Sequence, residues 1–294
     1  MTFKAGLITF VGRPNAGKST LTNAILGEKI AITSSKPQTT RRTIRGILTR
    51  EHDQIVIVDT PGMHRPRTLL GQRLNSMVRE TIADVDVVCL CIPADEEIGP
   101  GDRFIDNEVG TNERAKKIAV VTKSDRVKPA RLAQQLTEVA ALREWDAVIP
   151  VSATKGEQVA ELVDVIADLL PESPKLYPDE QVTEEVTSDR IAELIREASL
   201  EEARDELPHS IIVTVDDMIE RDDGLIEIFA NLWVERDSQK GIVIGSGGAR
   251  IRQIGQDARA EIEELVNARV HLDLRVKIAK EWQGDAKQLR RFGY

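Results

Sequence analysis

The chain has little sulfur and little imidazole. In 294 residues there are two cysteines and four histidines. No grouping of them has the spacing of a metal site, so His209 and His271 read as strand residues. Cys89 and Cys91 alternate on one apolar run and face the same side of it. They read as small buried hydrophobes of a reduced compartment, with a metal or redox pair as the alternative. Long apolar runs are also missing. The longest, near residues 85–92, is of strand length, so no segment is expected to span a membrane. The first residues lead almost directly into a strand and leave no room for a signal peptide, which points to a cytoplasmic protein. Nor is there an excess of positive charge. The net charge of −9 argues against a general polyanion binder.

What is present is a 41% apolar share, enough for real cores, and a length that suits two domains. The charge is unevenly placed. Residues 1–181 carry 24 basic and 25 acidic side chains, residues 182–237 carry 5 and 17, and residues 238–294 carry 11 and 7. Only the last block has the sign of a nucleic-acid surface, and the acidic block is expected to face away from one.

The stretch that organises the first half is Phe10-Val11-Gly12-Arg13-Pro14-Asn15-Ala16-Gly17-Lys18-Ser19-Thr20. Residues 12–19 fit G-x-x-x-x-G-K-S. Leu7–Val11 reads as a buried strand before it, and Leu21, Ala24, Ile25 and Leu26 recur at helical spacing after it. A strand that turns through glycines into a helix aims backbone N–H groups and the positive helix end at one point. A polyphosphate fits there. Lys18 can reach the outer phosphates and the Ser19 hydroxyl can hold Mg²⁺.

Ala31–Arg42 is polar and reads as a loop. Ile44–Thr49 and Gln54–Val58 read as two antiparallel strands, the second ending in Asp59-Thr60-Pro61-Gly62-Met63. An acid at a strand tip beside the phosphate loop can hold Mg²⁺, and Gly62 lets the backbone come close to a γ-phosphate. Residues 63–73 are loop-like, and a helix runs to about Ala83. Val85–Ile92 is a buried strand that residues 93–101 break. Lys117–Val121 leads into Thr122-Lys123-Ser124-Asp125. A carboxylate there can accept two hydrogen bonds from guanine, a pair adenine does not offer, with the Lys123 stem along the ring. A helix over Pro129–Leu142 leads to the strand Ala147–Val151. Val151-Ser152-Ala153 can bring a backbone N–H to the guanine oxygen, and a helix over 156–169 closes the domain. Alternating strands and helices with site residues at strand carboxyl ends describe a doubly wound α/β sheet.

These five motifs, in this order, resemble those of a translational-class GTPase. Gly12–Ser19, Pro37-Gln38-Thr39-Thr40-Arg41 and Asp59–Gly62 most resemble the Era family. The resemblance implies GTP/GDP binding by Gly12–Thr20, Asp59–Met63, Thr122–Asp125 and Val151–Ala153, and Mg²⁺ held by Ser19, Thr40 and Asp59. It implies slow hydrolysis in which Asn15, Lys18 and Thr40 act and K⁺ bound near Asn15 supplies positive charge. Residues 31–42 and 62–73 become switch loops. Two positions depart from the family's pattern. Thr122 stands where Asn is usual, which bears on base selection, and Ala16 stands where Val is frequent. Met63 occupies the place where many GTPases carry a water-orienting Gln, as is expected of Era-like proteins.

Pro171–Asp179 is proline-rich and reads as a stiff connector. After it Ile191, Leu194, Ile195 and Ala198 mark a helix. His209–Ile219 and Leu225–Trp233 read as strands joined by a hairpin turn at Glu220–Gly224. Gly241–Ile244 leads to Gly245-Ser246-Gly247-Gly248, then to an amphipathic helix through Ile251, Ile254, Ala258, Ile262 and Leu265, then to a strand over Val270–Ile278. This order resembles a type II KH domain with Ile244–Gly248 as its I-G-x-x-G loop, where a nucleic-acid backbone passes between two helices. Ser246 departs from the basic residue often found in that loop. The nearby charge comes from Lys240, Arg250 and Arg252, and a basic tail adds Lys277, Lys280, Lys287, Arg290 and Arg291.

The expected organisation is therefore an α/β P-loop GTPase domain over 1–171, a linker over 172–181, and a smaller α+β type II KH domain over 182–294 with a basic tail. The resemblance implies a monomer that binds small-subunit ribosomal RNA near its 3′ end during assembly of the small ribosomal subunit. It also implies peripheral contact with the inner face of the cell membrane, although no anchor in the sequence compels this. Two other readings are a nucleotide-gated RNA chaperone or checkpoint in which hydrolysis only resets binding, and a P-loop ATPase, against which Asp125 speaks.

Overall fold

The computed structural model describes residues 2–34, 36, 39–201 and 207–294. Ser35, Pro37 and Gln38, which belong to the first loop expected to switch, lie outside the described residues. The chain divides into two compact units, one ending at Glu184 and one whose main body is Glu185–Tyr294.

The first unit runs β1 (Lys4–Val11), α1 (Lys18–Leu26), β2 (Ile44–Thr49), β3 (Asp53–Asp59), α2 (Leu69–Asp84), β4 (Val87–Pro93), α3 (Pro100–Val109), β5 (Lys116–Thr122), α4 (Pro129–Ala140), β6 (Ala147–Pro150) and α5 (Val159–Leu169). Its six strands lie in the order β2-β3-β1-β4-β5-β6, with β2 antiparallel to β3 and the other pairs parallel. β3 and β4 are buried along their whole length. Parallel strands covered on both faces need apolar side chains on both. One face packs Ile8, Phe10, Ile57 and Cys89 against Leu21 and Ile25 of α1 and Leu162 and Ile166 of α5. The other packs Val58, Val88, Leu90 and Val121 against Val78 and Ile82 of α2, Ile105 of α3 and Val139 of α4. Cys89 and Cys91 are buried and unbridged, and burial pushes the Cys91 thiol up to about 12.

Three local readings change. β1 begins at Lys4, which pairs with Asp53, ahead of the apolar run at Leu7. The stretch 93–101 ends β4 as expected but also opens α3. Pro100 stands at the first position, and the Asp102 carboxylate accepts from the Gly99 N–H at 2.8 Å. Proline costs nothing in a first turn, where its missing N–H would have no helical partner. The proline-rich segment is tied to the sheet. The Gln54 side chain accepts from the N–H of Leu176 and of Tyr177 at 2.7 and 2.9 Å. Farther on, Ile47 N–H donates to Val182 O at 2.7 Å and the Thr183 hydroxyl to Arg45 O at 2.7 Å. Residues 182–183 thus cover the open side of β2, which relieves the unpaired groups of an edge strand.

The second unit runs α6 (Thr187–Glu201), α7 (Leu207–Ser210), β7 (Ile212–Glu220), β8 (Ile226–Val234), α8 (Asp237–Ile244), α9 (Ala249–Val266), β9 (Val270–Ile278) and α10 (Ala286–Arg291). β8 pairs antiparallel with β7, through a bulge between Val215 and Asp217, and parallel with β9. Ile191 and Ile195 of α6 and Ile254, Ala258 and Ile262 of α9 pack on Val213, Ile228, Ala230 and Leu232. His209 does not open a strand. It lies in α7, whose Pro208 fixes a helical φ, and β7 starts after it. His271 is in β9. The basic tail is folded as well. Asp285 caps α10 by accepting from the N–H of Lys287 and of Gln288 at 2.7 and 3.1 Å. Trp282, Leu289 and Phe292 are buried beneath it.

Candidate nucleotide site and nucleic-acid loop

The carboxyl ends of β1, β3, β4 and β5 meet at one end of the first unit's sheet. β1 and β4 are neighbours there, and the turn after β1 leaves between them. A Cβ on Gly12 would stand 2.7 Å from the Cys91 carbonyl, so only glycine lets the loop pass β4. Gly17 (φ 87°) then turns the chain into α1, which has no side-chain cap and no acid in its first turn. Its first N–H groups therefore meet neither a side-chain cap nor a first-turn carboxylate. That leaves a positive helix end suited to an anion.

Lys18 is buried and its ammonium lies 3.5 Å from Gly12 O and 3.3 Å from Arg13 O. Burial lowers its pKa, opposed by the charge of Asp59. Burial raises the Asp59 carboxyl, opposed by Lys18 and by the Ser19 hydroxyl. The Ser19 hydroxyl donates to Asp59 Oδ2 at 2.8 Å, and Thr40 Oγ1 lies 2.8 Å from Ser19 Oγ. Asp59 Oδ1 is buried with no hydrogen-bond partner among the described residues. Two hydroxyl oxygens and a carboxylate with an unsatisfied buried oxygen are a hard-oxygen donor set. The three residues expected to hold Mg²⁺ thus converge and fit that ion.

The strand-end motif closes on the phosphate loop. Met63 N–H donates to Gly12 O at 3.2 Å, and the Met63 side chain is buried in the core under α2. A Cβ on Gly62 would stand 2.7 Å from Pro14 N and 2.8 Å from Pro14 Cα. The close approach that requires glycine here is to the phosphate loop's own backbone. Asn15 sits at the exposed apex of that loop with φ 62°.

At the far end of the site Asp125 is held by a group that its own motif does not contain. The Ser152 hydroxyl donates to Asp125 Oδ1 at 2.7 Å, and this bond leads the causes that hold the Asp125 carboxyl below its usual range. An ionised carboxylate only accepts, so the buried Ser152 hydroxyl is the donor. Its own N–H donates to Glu157 O at 3.0 Å, so the strand-tip amide still to be offered to a base is that of Ala153. Lys123 has φ 56° and Ser124 N–H donates to Val151 O at 3.1 Å. Arg13 points away from the phosphate loop. Its Nε donates to Asp102 Oδ1 at 2.8 Å.

In the second unit α8 ends at Ile244 and α9 begins at Ala249. Gly245, Gly247 and Gly248 between them have φ of 69°, 57° and 76°. Three left-handed residues in four explain the glycines without appeal to any ligand. Ser246, Gly247 and Arg252 are exposed, as is Ile242, while Lys240, Ile244 and Arg250 are half-buried. The Arg250 guanidinium donates to Ile242 O at 3.1 Å and so braces the end of α8. Among the described residues no group of three or more His, Cys, Asp or Glu is placed to hold a metal by itself.

Residues 7–123 match a family described as 50S ribosome-binding GTPase, and residues 206–283 match the KH domain family. GTPase Era of Mycobacterium sp. (strain JLS) is 57% identical over 296 residues, 99% of each chain. GTPase Era of Streptomyces coelicolor is 53% identical over 301 residues, 99% of this chain and 95% of that one. The chain belongs to the Era family of GTPases. Two solved Era structures share its fold over 99% of both chains at 33% identity. One is Era in complex with MgGDPNP and nucleotides 1506–1542 of 16S ribosomal RNA, with a TM-score of 0.95. The other is an Aquifex aeolicus Era variant bound to GDP·AlF4⁻, with a TM-score of 0.96.

The departure from the Era pattern at Thr122 has a structural outcome. The buried Thr122 hydroxyl donates to Ala16 O at 2.7 Å. It ties the Thr122–Asp125 loop to the phosphate loop, a bond that asks only for a short donor at that position.

Proposed function

We propose that this Era-family GTPase is a Mg²⁺-dependent switch that binds the 3′ end of small-subunit ribosomal RNA through its KH unit during assembly of the small ribosomal subunit. The observation that carries the reading is its whole-length likeness to an Era chain crystallised with MgGDPNP and 16S ribosomal RNA nucleotides.

The geometry supports the following roles. The uncapped start of α1 and Lys18 hold the outer phosphates. Ser19, Thr40 and Asp59 hold Mg²⁺, which when bound neutralises charge on the bridging oxygens. Asp125, ionised and aimed by Ser152, accepts from the guanine edge, and Ala153 offers its N–H to the guanine oxygen. Gly12, Pro14, Ala16, Gly17, Thr20, Thr60, Pro61, Gly62, Ser124 and Val151 shape the pocket's backbone. Met63 is buried and has no polar atom with which to orient water. The positive charge that an arginine would bring is assigned to K⁺ beside Asn15, at the exposed loop apex. Hydrolysis stimulated by K⁺ over Na⁺, and lost to that stimulation in Asn15→Ala, is the expected outcome; an undiminished K⁺ effect in the variant rejects the role.

In the second unit the RNA backbone passes along Gly245–Gly248, bases lie beside Ile244, and Lys240 and Arg252 meet phosphates. Arg250 serves by shaping the loop. Residues 31–42 and 62–73 order with the γ-phosphate and relax after its loss. The protein acts as a monomer in the cytoplasm. No helix of the described residues is long and apolar enough to cross a membrane, so any contact with the membrane's inner face is peripheral.

The test is crosslinking to cellular RNA with and without a GTP analogue. Enrichment of the 3′ end of small-subunit ribosomal RNA that depends on the analogue is expected. Absence of ribosomal RNA, or indifference to nucleotide, overturns the reading. Full complementation by a variant that binds GTP without hydrolysing it would instead support a chaperone in which hydrolysis only resets binding.

A further inference from the structure

The loop between β4 and α3 and the first turn of α3 carry two carboxylates, Glu96 and Asp102, that have no role assigned in the nucleotide chemistry. Asp102 is almost wholly buried, and its two oxygens are divided between the Gly99 N–H and the Arg13 guanidinium, each at 2.8 Å. The other side of the same guanidinium, Nη2, lies 2.9 Å from Glu96 Oε2. The second oxygen of Glu96 lies 3.5 Å from the ammonium of Lys123. A Cβ on Gly101 would stand 3.0 Å from Arg13 Cδ, so the arginine stem also packs on the start of α3.

The loop is built to hold still. Gln135 of α4 is fully buried and donates to Pro93 O at 3.1 Å and to Glu96 O at 3.0 Å. Ala94 N–H donates to Thr122 O at 2.8 Å. A rigid backbone thus presents one carboxylate to two cations, and the cations belong to different jaws of the site. Arg13 is the second residue of the phosphate loop. Lys123 stands in the base-reading loop.

From this placement we propose that Glu96 and Asp102 are positioning residues for nucleotide retention, with Glu96 as an ionic bridge from Arg13 to Lys123. The proposal rests on the nucleotide reading of the site. A bound nucleotide spans the angle between the two loops, its phosphates at one and its base at the other. Its release is easiest when they part. Asp102 holds Nε of Arg13, and Glu96 ties its Nη2 to Lys123, so parting the loops breaks the ion pairs first.

The experiment is stopped-flow release of the fluorescent nucleotide mant-GDP from the full-length protein with Mg²⁺. Glu96→Gln keeps the shape and removes the charge at a half-exposed position, where an ion pair is modest. It speeds release about threefold and leaves the unfolding temperature of the nucleotide-free protein unchanged. Asp102→Asn, which strips a buried partner from Arg13, speeds release about tenfold or more. Because both act through Arg13, adding Asp102→Asn to Arg13→Gln gives no further increase. A merely structural role moves the unfolding temperature and leaves the two substitutions multiplicative. Wild-type release rates in Glu96→Gln, or full multiplication of the Arg13 and Asp102 effects, overturn the proposal even if mant-GDP binds normally. Should Asp102→Asn not fold, the Glu96→Gln rate decides alone. Failure of the wild type to bind mant-GDP overturns the nucleotide reading and the bridge with it.

Discussion

The nucleotide site and the G-x-x-G loop of this chain are both glycine-rich turns at the start of a helix, yet they are made in different ways. The first is made by side chains in the interior. Lys18, Thr40, Asp59, Thr122 and Ser152 are all buried, and the last four bond to another motif. The second is made chiefly by backbone conformation, braced by Arg250, with Ser246, Gly247 and Arg252 exposed. Such a difference suits the two ligands. A triphosphate with its metal is compact and highly charged, and a closed, low-dielectric pocket makes each contact to it strong. A single strand of RNA is long and replaceable along its length, and an open ridge with cations beside it suffices.

The comparison can be broken most sharply at Asp59. Asp59→Ala leaves the buried Lys18 ammonium without its counter-charge and removes an oxygen from the Mg²⁺ set. Affinity for a Mg²⁺–GTP analogue, read by calorimetry, falls by about a hundredfold or more, while RNA binding of the nucleotide-free protein is unchanged. Retention of metal-dependent affinity would show that the site does not depend on its buried charges. The second unit breaks through its backbone. At Gly245 (φ 69°, ψ 176°) a Cβ would stand 2.8 Å from that of Arg250. Gly245→Val combines that clash with a conformation nearly closed to other residues, at a strain of about 1–3 kcal/mol. Filter binding to single-stranded ribosomal RNA weakens about tenfold or more, and GDP affinity stays as it was.

Two smaller effects sharpen the contrast. Ser152→Ala takes away the hydrogen bond that leads in holding the Asp125 carboxyl low, with GDP affinity at neutral pH falling about three- to tenfold. The folded-state pKa is depressed, so the reading carboxylate is present above its ordinary range and lost as pH falls through the depressed value. In the variant that loss comes at higher pH, and a titration of GDP affinity carried through the ordinary carboxylate range and below it shows the shift. A midpoint that does not move removes Ser152 from base reading. Arg252→Ala is the mildest. It removes one exposed phosphate contact and lowers the slope of log affinity against log salt by about 0.7. An unchanged slope would put Arg252 off the RNA path.

Much of the fold and of the nucleotide site is legible in the sequence, and for a local reason. A phosphate loop is one continuous stretch whose glycines, lysine and serine carry their roles within eight positions, and the pairing with Asp59 follows from strand order. The hairpin at Glu220–Gly224 and the turn at Gly245–Gly248 are local too. What escapes depends on residues far apart in sequence. Nothing near Ser152 says that its hydroxyl serves Asp125, and nothing near Arg13 points to Asp102. Helix α3 is hidden because Gly99 and Pro100 read as breakers, although Pro and an acid two places on are also how a helix starts. Residues 280–294 read as a charged tail because Trp282, Leu289 and Phe292 have no period of their own. They become a core only where Trp233 meets Phe292, with ring centroids 5.6 Å apart.

The strip of chain after α5 decides where this protein can be divided. Glu172 bridges to Lys4, Leu176 and Tyr177 bind Gln54, and Val182 and Thr183 bind β2. A G-domain fragment ended at Leu170 would lose all of these partners at once and bare β2 as an edge. It would also strip the Gln54 side chain of its bonds to Leu176 and Tyr177, leaving it the Thr49 hydroxyl. Such a fragment is a poor crystallisation target and prone to stacking on its own copies. One that runs through Glu184 keeps its sheet closed, and is the piece to express when the GTPase is to be studied without its RNA-binding half.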